Sequence, residues 1–599
     1  MKWFFLLVGL CTHLFAGKFD NITPSSPEEI ASLNTQMIVG DFISILSGQL
    51  SISETDLRIK AAQDLILKRI YVPPQILGRY DDRDERDKLV LGKALMQLHT
   101  KGWITLPHIW AGYNSNSPYF QVVDPSGYVL EFYITKNKGI LKTSSYGCTN
   151  LKGEDPSSLA DIRNIELFLK ENEAHITWPN GTKRIYTQLV LGLYRLDKEI
   201  LPNGKSIRYQ YNDQGLYRII TTDISEKHIY ASLKRIGTHH FKGSDGREVK
   251  LTYEARQVTG KFKKKKRRET ITFRFPVMTK ASRPSYSNDV RYNARALLTY
   301  YDSEKYPISA SYIEQKDKLC RVQVLSTSSG SISFSYKPPI PGKKGGSTTV
   351  TYPDGAVVVY RFNSTLLLTA IENWLDGKLY NQKVLTYDHK QHIAKIETKD
   401  GYGDILLTKA YVCDKYGNPI SETHIGDFGS FSIKRSFSKN RLTSEIRDDA
   451  LKVEYTYLQD THLPLSKTIF SNEVPVRKTI YVYDEAYNLI QEKEEGKKIT
   501  CYELFQEGPH LHCTHSKIEK DWNGNLIHKT DYFYDQYGNI SKESHFGSDG
   551  NFAYSIQKKY DTKNNLIEEQ NPLGQKASYE YLEQDFSQME HGVLNDKKI

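Results

Sequence analysis

Four residues in the stretch HLHCTH have side chains that can bind zinc. They are His510, His512, Cys513 and His515, and Cys501 precedes them along the chain. Zinc sites usually place ligands as Cys-x-x-Cys or as a His pair three to five residues apart within a larger pattern, which this stretch lacks. In a strand, His510 and His512 would share one face, and Cys513 and His515 the other. We therefore predict no metal ligand and no cofactor for this chain.

A second candidate for chemistry is the basic run KKKKRR at positions 263–268. Such a run could bind a polyanion or serve as a nuclear-import signal. Charge runs are usually solvated, so we predict an exposed loop between EARQVTG and the strand TITFRF. The net charge of +10 on 599 residues is modest, and we expect no nucleic-acid partner.

The usual signatures of catalysis are missing from the sequence. It contains no Gly-x-Ser-x-Gly, no His-Glu-x-x-His and no nucleotide-binding fingerprint. We therefore name no catalytic and no cofactor-binding residue, and we predict that the protein is not an enzyme.

Asp535, in YFYDQYGN, is a carboxylate that could be a catalytic acid. Tyr532 and Tyr534 are two positions apart, so in a strand they share a face. Asp at the first position and Gly538 at the fourth suit a type I turn, in which Gly accepts the positive φ that follows. The stretch therefore predicts strand, turn and strand.

The same pattern recurs along the chain with different residues at the other positions of the turn. Further copies are YQYNDQGL (209–216), TYDHKQHI (386–393), YVCDKYGNPI (411–420), YVYDEAYNLI (481–490), KDWNGNLI (520–527) and YDTKNNLI (560–567). An Asp or Asn leads each turn, while Tyr487 and Asn564 replace the Gly. A catalytic acid would not need seven scattered copies, so we interpret Asp535 as structural.

A second class of turn places a Gly before a strand that ends in Tyr. Its members are WPNGTKRIY (178–186), LPNGKSIRYQY (201–211), YPDGAVVVYRF (352–362) and NPLGQKASYEY (571–581). Together with the 41 tyrosines of the chain, a residue that favours strands, these turns predict a mainly β protein.

These two classes together resemble RHS (YD) repeats, which occur in bacterial RHS polymorphic toxins, cage subunits of insecticidal toxin complexes and teneurins. The stretch at 39–71 is similar to the RHS N-terminal domain, with Gly40 or Gly48, then Thr55-Asp56-Leu57, then Arg69-Ile70-Tyr71. The Gly102-Trp103 pair in KGWITLPH resembles the Gly-Trp that follows in that domain. The resemblance covers most of residues 38–585.

The resemblance implies a spiralling β-hairpin shell around a hollow interior that encloses a toxic or unfolded segment. We expect an open or partial shell, with one minor helix near 84–100. The family's C-terminal core, with an Asp-Pro-x-Gly-like segment, and the toxin domain have no counterpart here. We therefore expect a protein partner or a separate core to complete the shell.

The predicted organisation is a signal peptide at 1–17, a linker at 18–37, the RHS N-terminal domain at 38–150, degenerate repeats at 151–400, YD repeats at 401–585 and a polar tail at 586–599. The signal predicts a secreted, cell-surface or periplasmic protein without a transmembrane anchor. Five cysteines would remain after cleavage, and Cys501 with Cys513 is the most plausible pair for closing a loop.

Two function classes fit these observations. The first is an exported, non-catalytic RHS-type shell or scaffold, acting in toxin encapsulation, delivery or cell contact. The second is a secreted surface-binding protein that holds glycans or acidic polymers with tyrosine faces and basic loops.

Overall fold

The computed structural model describes residues 38–71, 103–145, 165–340 and 344–579, with short gaps inside these ranges. Every regular element in this part of the chain is a strand, as the turn pattern predicts. The predicted signal peptide, linker, helix near 84–100 and polar tail lie outside the described residues.

Within the described residues, forty-four strands follow one another along the chain. The N-terminal ones are β1 (Ile38–Val39), β2 (Ile43–Ser44), β3 (Ile52–Ile59), β4 (Leu65–Tyr71), β5 (Trp103–Leu106), β6 (Trp110–Tyr113), β7 (Tyr119–Val123), β8 (Val129–Thr135) and β9 (Lys138–Ser145). Next come β10 (Glu166–Lys170), β11 (Glu173–Thr177), β12 (Lys183–Val190), β13 (Leu193–Ile200), β14 (Ser206–Asn212), β15 (Gly215–Thr222), β16 (Ile229–Gly237), β17 (His240–Gly243), β18 (Glu248–Lys264), β19 (Arg267–Ser282) and β20 (Ser287–Tyr292).

The middle of the chain forms β21 (Leu298–Asp302), β22 (Pro307–Glu314), β23 (Cys320–Thr327), β24 (Gly330–Lys337), β25 (Gly346–Thr351), β26 (Val357–Phe362), β27 (Leu368–Leu375), β28 (Lys378–Tyr387), β29 (Ile393–Asp400), β30 (Ile405–Cys413), β31 (Pro419–Gly426) and β32 (Gly429–Ser438). The last strands are β33 (Arg441–Arg447), β34 (Leu451–Tyr457), β35 (Pro464–Ser471), β36 (Val474–Tyr483), β37 (Leu489–Glu494), β38 (Lys498–Leu504), β39 (Thr514–Asp521), β40 (Leu526–Tyr534), β41 (Ile540–Phe546), β42 (Phe552–Tyr560), β43 (Leu566–Gln570) and β44 (Lys576–Ser578).

Strands β6 to β44 form one antiparallel sheet in which each strand pairs with the next along the chain. β6 also pairs with β13, through Leu193 opposite Gly112, so that β6 to β13 close a ring. The sheet then continues from β13 as a long meander to β44. β1 with β2, and β3 with β4 and β5, form two small sheets of their own.

Alternation of side chains gives the large sheet one covered face. In β24, Ile332, Phe334 and Tyr336 are buried, while the serines between them are exposed. This period of two is the pattern expected of a half-buried strand.

The covering layer over this face comes from the N-terminal strands. Leu50, Ile52, Leu57 and Leu67 belong to one apolar core together with residues of the large sheet as far as Tyr411. Among the described residues, none beyond Tyr411 belongs to this core. The N-terminal hairpin β3–β4 therefore shares its core with the part of the sheet from β6 to β30.

Candidate functional site

The Asp-led turns are held by side-chain bonds to their own backbone. The carboxylate of Asp535 accepts from the N–H groups of Tyr537 at 2.8 Å and Asn539 at 2.9 Å. Its second oxygen accepts from the Asn539 side-chain amide at 2.8 Å. Gly538 has φ +79°, as predicted. Because its carboxylate is committed to the turn, Asp535 is structural.

The same geometry occurs in the variants without Gly. Tyr487 has φ +62° and Asn564 has φ +70°, the left-handed region in which Asn is the better tolerated of the two. The amides of Asn488 and Asn565 bind the leading carboxylates at 2.9 Å. The unit is thus Asp, two variable residues, a positive-φ residue and, in the best copies, Asn.

Apart from KDWNGNLI, the two sequence classes lie on opposite rims of the sheet. Neighbouring strands are antiparallel, so turns after even-numbered strands lie on one rim and turns after odd-numbered strands on the other. The Tyr-Asp turns follow β14, β28, β30, β36, β40 and β42. The Pro-Asn-Gly-like turns follow β11, β13, β25 and β43, and KDWNGNLI follows β39. We call these the Tyr-Asp rim and the Gly rim.

The tyrosine that precedes these turns has a repeated role. Four of these hydroxyls, and those of three tyrosines on other even-numbered strands, donate to a backbone carbonyl oxygen of the preceding strand. The pairs are Tyr211–Leu196, Tyr312–Leu298, Tyr336–Val322, Tyr387–Leu368, Tyr457–Leu442, Tyr483–Pro464 and Tyr534–Thr514. Burial raises the pKa of Tyr483 to about 12. These hydroxyls tie adjacent strands together at the Tyr-Asp rim.

The Gly rim of an early part of the sheet lies against the Tyr-Asp rim of a later part. The backbone N–H of His462 donates to the carbonyl of Pro202 at 2.8 Å. A Cβ atom on Gly204 would lie 2.9 Å from the ring of Tyr487. We call this line of contacts, between residues 178–247 and 458–565, the seam. It shows that the sheet winds past itself.

Lys205 is a buried charge in the seam. Its ammonium donates to the Asn488 side-chain oxygen at 2.8 Å and to the Ala62 carbonyl at 3.0 Å, and it lies over the Tyr230 ring at 5.1 Å. Burial lowers the pKa of Lys205, while Asp484 opposes that shift. One side chain therefore joins the early rim, the late rim and the N-terminal hairpin.

His512, one of the candidate zinc ligands, is also a seam residue. Its Nδ1 lies 2.8 Å from the Tyr230 hydroxyl, and its ring meets that of His228 edge-on at 5.3 Å. His510 and Cys513 lie in the same turn, before β39, rather than in a strand, so the strand-based assignment of faces does not apply to them. Within the described residues, no three His, Cys, Asp or Glu gather as a metal site.

At its far end the seam is closed by Arg247. Its guanidinium lies over the Tyr537 ring at 4.8 Å and donates to the Thr562 carbonyl at 2.5 Å. The Asn564 amide donates to the Arg58 carbonyl at 3.0 Å. Arg247 and Thr562 are 315 positions apart in the sequence, and Asn564 and Arg58 are 506 positions apart.

The RHS-like motif residues at the N-terminus come together in one buried cluster. Arg69 is 0% exposed and donates to Asp56 through Nη2 at 2.7 Å and through Nε. Arg283 donates to the same carboxylate at 2.8 Å. Burial alone would raise the pKa of Asp56, but the two guanidinium groups outweigh it and hold the pKa below its usual value.

The aromatic residues of that motif complete the cluster. Arg69 lies over the Trp103 ring at 4.8 Å, and the rings of Tyr71 and Trp103 are 5.6 Å apart. The Tyr71 hydroxyl accepts from the N–H of Leu298 at 2.8 Å. The motif therefore anchors the N-terminal hairpin to the large sheet. Gly48 reaches the sheet through its carbonyl, and Gly40 and Gly102 lie outside the described residues.

The cysteines form no disulfide within the part of the chain that the structure describes. Cys501 and Cys513, the pair suggested by the sequence, are not bonded to each other, and Cys320 and Cys413 are likewise outside any disulfide. Burial raises the pKa of Cys513 to about 11, so this thiol is protonated at neutral pH and a poor nucleophile.

Lys263, Lys264, Arg267 and Arg268 of the basic run lie in the paired strands β18 and β19 rather than in a separate loop. Strands β18 and β19 pair from Lys250 opposite Ser282 to Lys264 opposite Arg267. EARQVTG and TITFRF are therefore the two legs of one hairpin.

Comparisons with known proteins found structural relatives only. No family model matches, and no curated protein matches by sequence. The crystal structure of TcdB2-TccC3-TEV gives a TM-score of 0.37 at 9% identity, covering 78% of this chain and 26% of that chain. The Photorhabdus luminescens Tc holotoxin pore gives 0.37 at 9%, covering 81% and 27%.

TcdB2-TccC3 without its hypervariable C-terminal region gives a TM-score of 0.37 at 10% identity, covering 84% of this chain and 27% of that chain. The present chain thus spans about a quarter of the length of these neighbours. No helix in the described residues is long and apolar enough to cross a membrane.

Proposed function

We propose that this protein is an exported, non-catalytic scaffold that builds the wall of an RHS-type shell. The observation that carries the proposal is the seam, in which two rims of one sheet lock together across about 280 residues of sequence. A hairpin array buries its faces only against neighbours, and the seam supplies neighbours in a second direction. A sheet whose strands pair along its length and whose rims also contact each other can form the wall of a container.

The polar groups of the repeats support a structural role. Asp535 and its counterparts bind their own turns, and the seven tyrosine hydroxyls bind strand carbonyls. Asp56, the most deeply buried carboxylate of the RHS-like motif, is neutralised by Arg69 and Arg283. Groups engaged in this way hold the wall together rather than act on a substrate.

The alternative function, binding of glycans or acidic polymers, loses part of its basis. Its argument from sequence used the tyrosines as aromatic platforms. In three of the described pairs the second tyrosine, Tyr211, Tyr483 or Tyr534, is instead half-buried and donates its hydroxyl to a backbone carbonyl. Binding of an acidic polymer would therefore have to rest on charge.

Among the described residues only β43 pairs with β44, and we propose that a second polypeptide binds at the other edge of β44. β44 pairs with β43 through Glu568 opposite Ser578, and Lys576, Ala577 and Ser578 are all exposed. An edge strand presents unpaired N–H and C=O groups that template another strand. We propose capture of a second chain by strand addition here, in line with the expected protein partner.

The test uses the mature protein purified from the exported fraction. Small-angle X-ray scattering should give the distance distribution of a hollow particle; that of an elongated ribbon would contradict the wall. Light scattering after gel filtration should show association that Ser578→Pro abolishes, because the N–H of Ser578 points away from β43 and Pro removes this donor of the edge strand. Association unaffected by Ser578→Pro would contradict the edge proposal alone. Mass spectrometry that finds intact Met1 on exported protein would contradict the signal peptide.

A further inference from the structure

Two histidines on neighbouring strands of the late sheet each place a ring nitrogen beside the other. His528 lies in β40 and His545 in β41, and Nε2 of His528 is 3.0 Å from Nδ1 of His545. Thr530 lies directly opposite His545 in the sheet, and its hydroxyl oxygen is 3.1 Å from the first nitrogen and 3.3 Å from the second. We call His528, Thr530 and His545 the triangle.

Hydrogen bonds among these three side chains leave one contact of the triangle unsatisfied. A neutral imidazole nitrogen has either one hydrogen or one lone pair, and a hydroxyl has one hydrogen. With one ring nitrogen donating and the other accepting, two hydrogens serve three contacts. The third contact therefore brings two polar atoms together without a hydrogen between them.

The separations in the triangle match those between ligands of one metal ion. Nitrogen ligands lie about 2.0–2.1 Å from Zn²⁺, so two of them are about 2.9 Å apart at a right angle and about 3.3 Å apart at the tetrahedral angle. The three separations of 3.0, 3.1 and 3.3 Å fall within this range. An ion between the rings would use the lone pairs of both nitrogens, and imidazole is a good ligand for Cu²⁺ and Zn²⁺.

The second nitrogen of His545 faces a carboxylate. This Nε2 is buried and forms no hydrogen bond within the described residues, and Oε2 of Glu543 lies 3.6 Å away. A histidine that binds metal through one nitrogen usually directs its other N–H to a carboxylate or a carbonyl. Burial and the nearby His528 lower the pKa of His545, while Glu543 raises it. The ring is therefore neutral at pH 7, as a metal ligand must be.

Lysines surround the carboxylates on this face of the sheet. Glu519, directly opposite His528, forms ion pairs with Lys498 at 3.3 Å and with Lys517 at 3.1 Å. Glu543 accepts from Lys558. Net charge therefore does not attract a cation here, and the affinity for an ion has to come from bonds to nitrogen.

We propose that His528 and His545 bind one divalent transition-metal ion, Cu²⁺ or Zn²⁺, which joins β40 to β41, with water in its remaining positions. The site has two imidazoles, and no group of three His, Cys, Asp or Glu ligands occurs among the described residues. The two histidines are 17 positions apart and belong to no sequence motif, so only the register of the sheet brings them together. The site depends on the β40–β41 hairpin and not on the shell.

The experiment is isothermal titration calorimetry of the full chain, purified without a histidine tag and stripped with EDTA. One equivalent of Cu²⁺ or Zn²⁺ should bind at pH about 7.5, and the affinity should fall below pH about 6.5 as imidazoles become protonated. Mg²⁺ prefers oxygen ligands and should not bind. Electron paramagnetic resonance of the Cu²⁺ complex should show coupling to two imidazole nitrogens. Coupling to one or none would overturn the proposal without any variant.

Single substitutions place the ion on the chain. His528→Gln and His545→Gln should each weaken binding by more than about tenfold. His389→Gln is the matched control, because His389 lies exposed in a turn, and it should bind as the wild type does. His512→Asn tests the stretch HLHCTH and should also bind normally. Binding that both Gln variants retain, or that His512→Asn removes, would overturn the proposal.

Glu543 is a positioning residue in this account. Glu543→Gln should weaken binding by about tenfold yet keep two nitrogens in the resonance spectrum. The melting temperatures of the stripped variants show that they fold. Added Zn²⁺ should raise the melting temperature of the wild type but not that of the variant with both His528→Gln and His545→Gln. An equal rise in that variant would exclude the triangle as the site.

Discussion

A Cβ atom on Gly538 would lie 2.7 Å from the carbonyl oxygen of Lys60. This turn glycine, on the Tyr-Asp rim of the late part of the sheet, therefore touches the backbone of the N-terminal hairpin. Its positive φ is a property of the local turn, whereas its lack of a side chain is required by a contact 478 positions away in sequence.

Gly538→Ala should destabilise the protein more than Gly524→Ala. Both residues have positive φ, +79° and +92°, so each substitution costs roughly 1–2 kcal/mol from the backbone. Nothing lies within 4 Å of a Cβ on Gly524, whereas a Cβ added at position 538 must also displace the backbone of Lys60. Urea unfolding measures the difference. Equal losses would show that Gly538 serves its turn alone.

For the same reason, Gly538→Asn should recover only part of the loss seen with Gly538→Val. Asn tolerates positive φ where a β-branched residue does not, but any Cβ meets the Lys60 carbonyl. Thermal melting of the two variants tests this order, and identical melting temperatures would contradict the turn assignment.

Tyr534→Phe should cost about 1 kcal/mol, because it removes the hydroxyl that donates to the Thr514 carbonyl at 2.8 Å. Tyr402 is the matched control, being 96% exposed on a turn. Tyr402→Phe should leave the free energy of unfolding unchanged. A Tyr534→Phe variant as stable as that control would mean that the repeated tyrosine bond adds nothing to the wall.

Asp56→Asn should destabilise the protein by roughly 3–5 kcal/mol, since it leaves the buried guanidinium groups of Arg69 and Arg283 without their shared counter-charge. Asp460→Asn is the control, because its pair with Lys439 is solvent-exposed and such pairs contribute little. Denaturant unfolding of both variants is the measurement. A small loss at Asp56 would contradict its role as the anchor of the hairpin.

Acidification should weaken the seam through His512. Burial lowers its pKa below 6.5. Asp484 raises the pKa, while the nearby His228 and Lys205 lower it further. As the pH falls below about 6.5, His512 is protonated in the unfolded chain before it is protonated in the folded protein. The folded protein therefore loses stability. Asn tolerates the positive φ of this position. In the variant His512→Asn, the melting temperature should therefore fall less as the pH is lowered. An unchanged pH profile would exclude His512 as the group responsible.

The turns could be predicted from sequence because their determinants are local. An Asp, a positive-φ residue and an Asn lie within five positions and satisfy one another, so Asp535, Gly538 and Asn539 predict their own geometry. The exceptions Tyr487 and Asn564 fit the same rule. The strands between the turns follow from alternation.

The seam could not be predicted, because its partners are distant in sequence. HLHCTH suggested metal chemistry, yet His512 meets Tyr230, which is 282 positions earlier. The residues between Asp and Asn differ from one turn to the next and follow no pattern. Tyr487 and Tyr537 lie at such positions, and both contact the other rim. The basic run was taken for a loop because nothing local shows that its flanks pair for ten residues.

The seam itself is tested most directly by cryo-electron microscopy of the purified full chain. The map should show the turn at Asn203 and Gly204 packed against the turn at Tyr487 and Asn488, with density for the Lys205 side chain joining Ala62 and Asn488. A map in which residues 178–247 and 458–565 lie apart, in a sheet that never winds past itself, would contradict the shell wall.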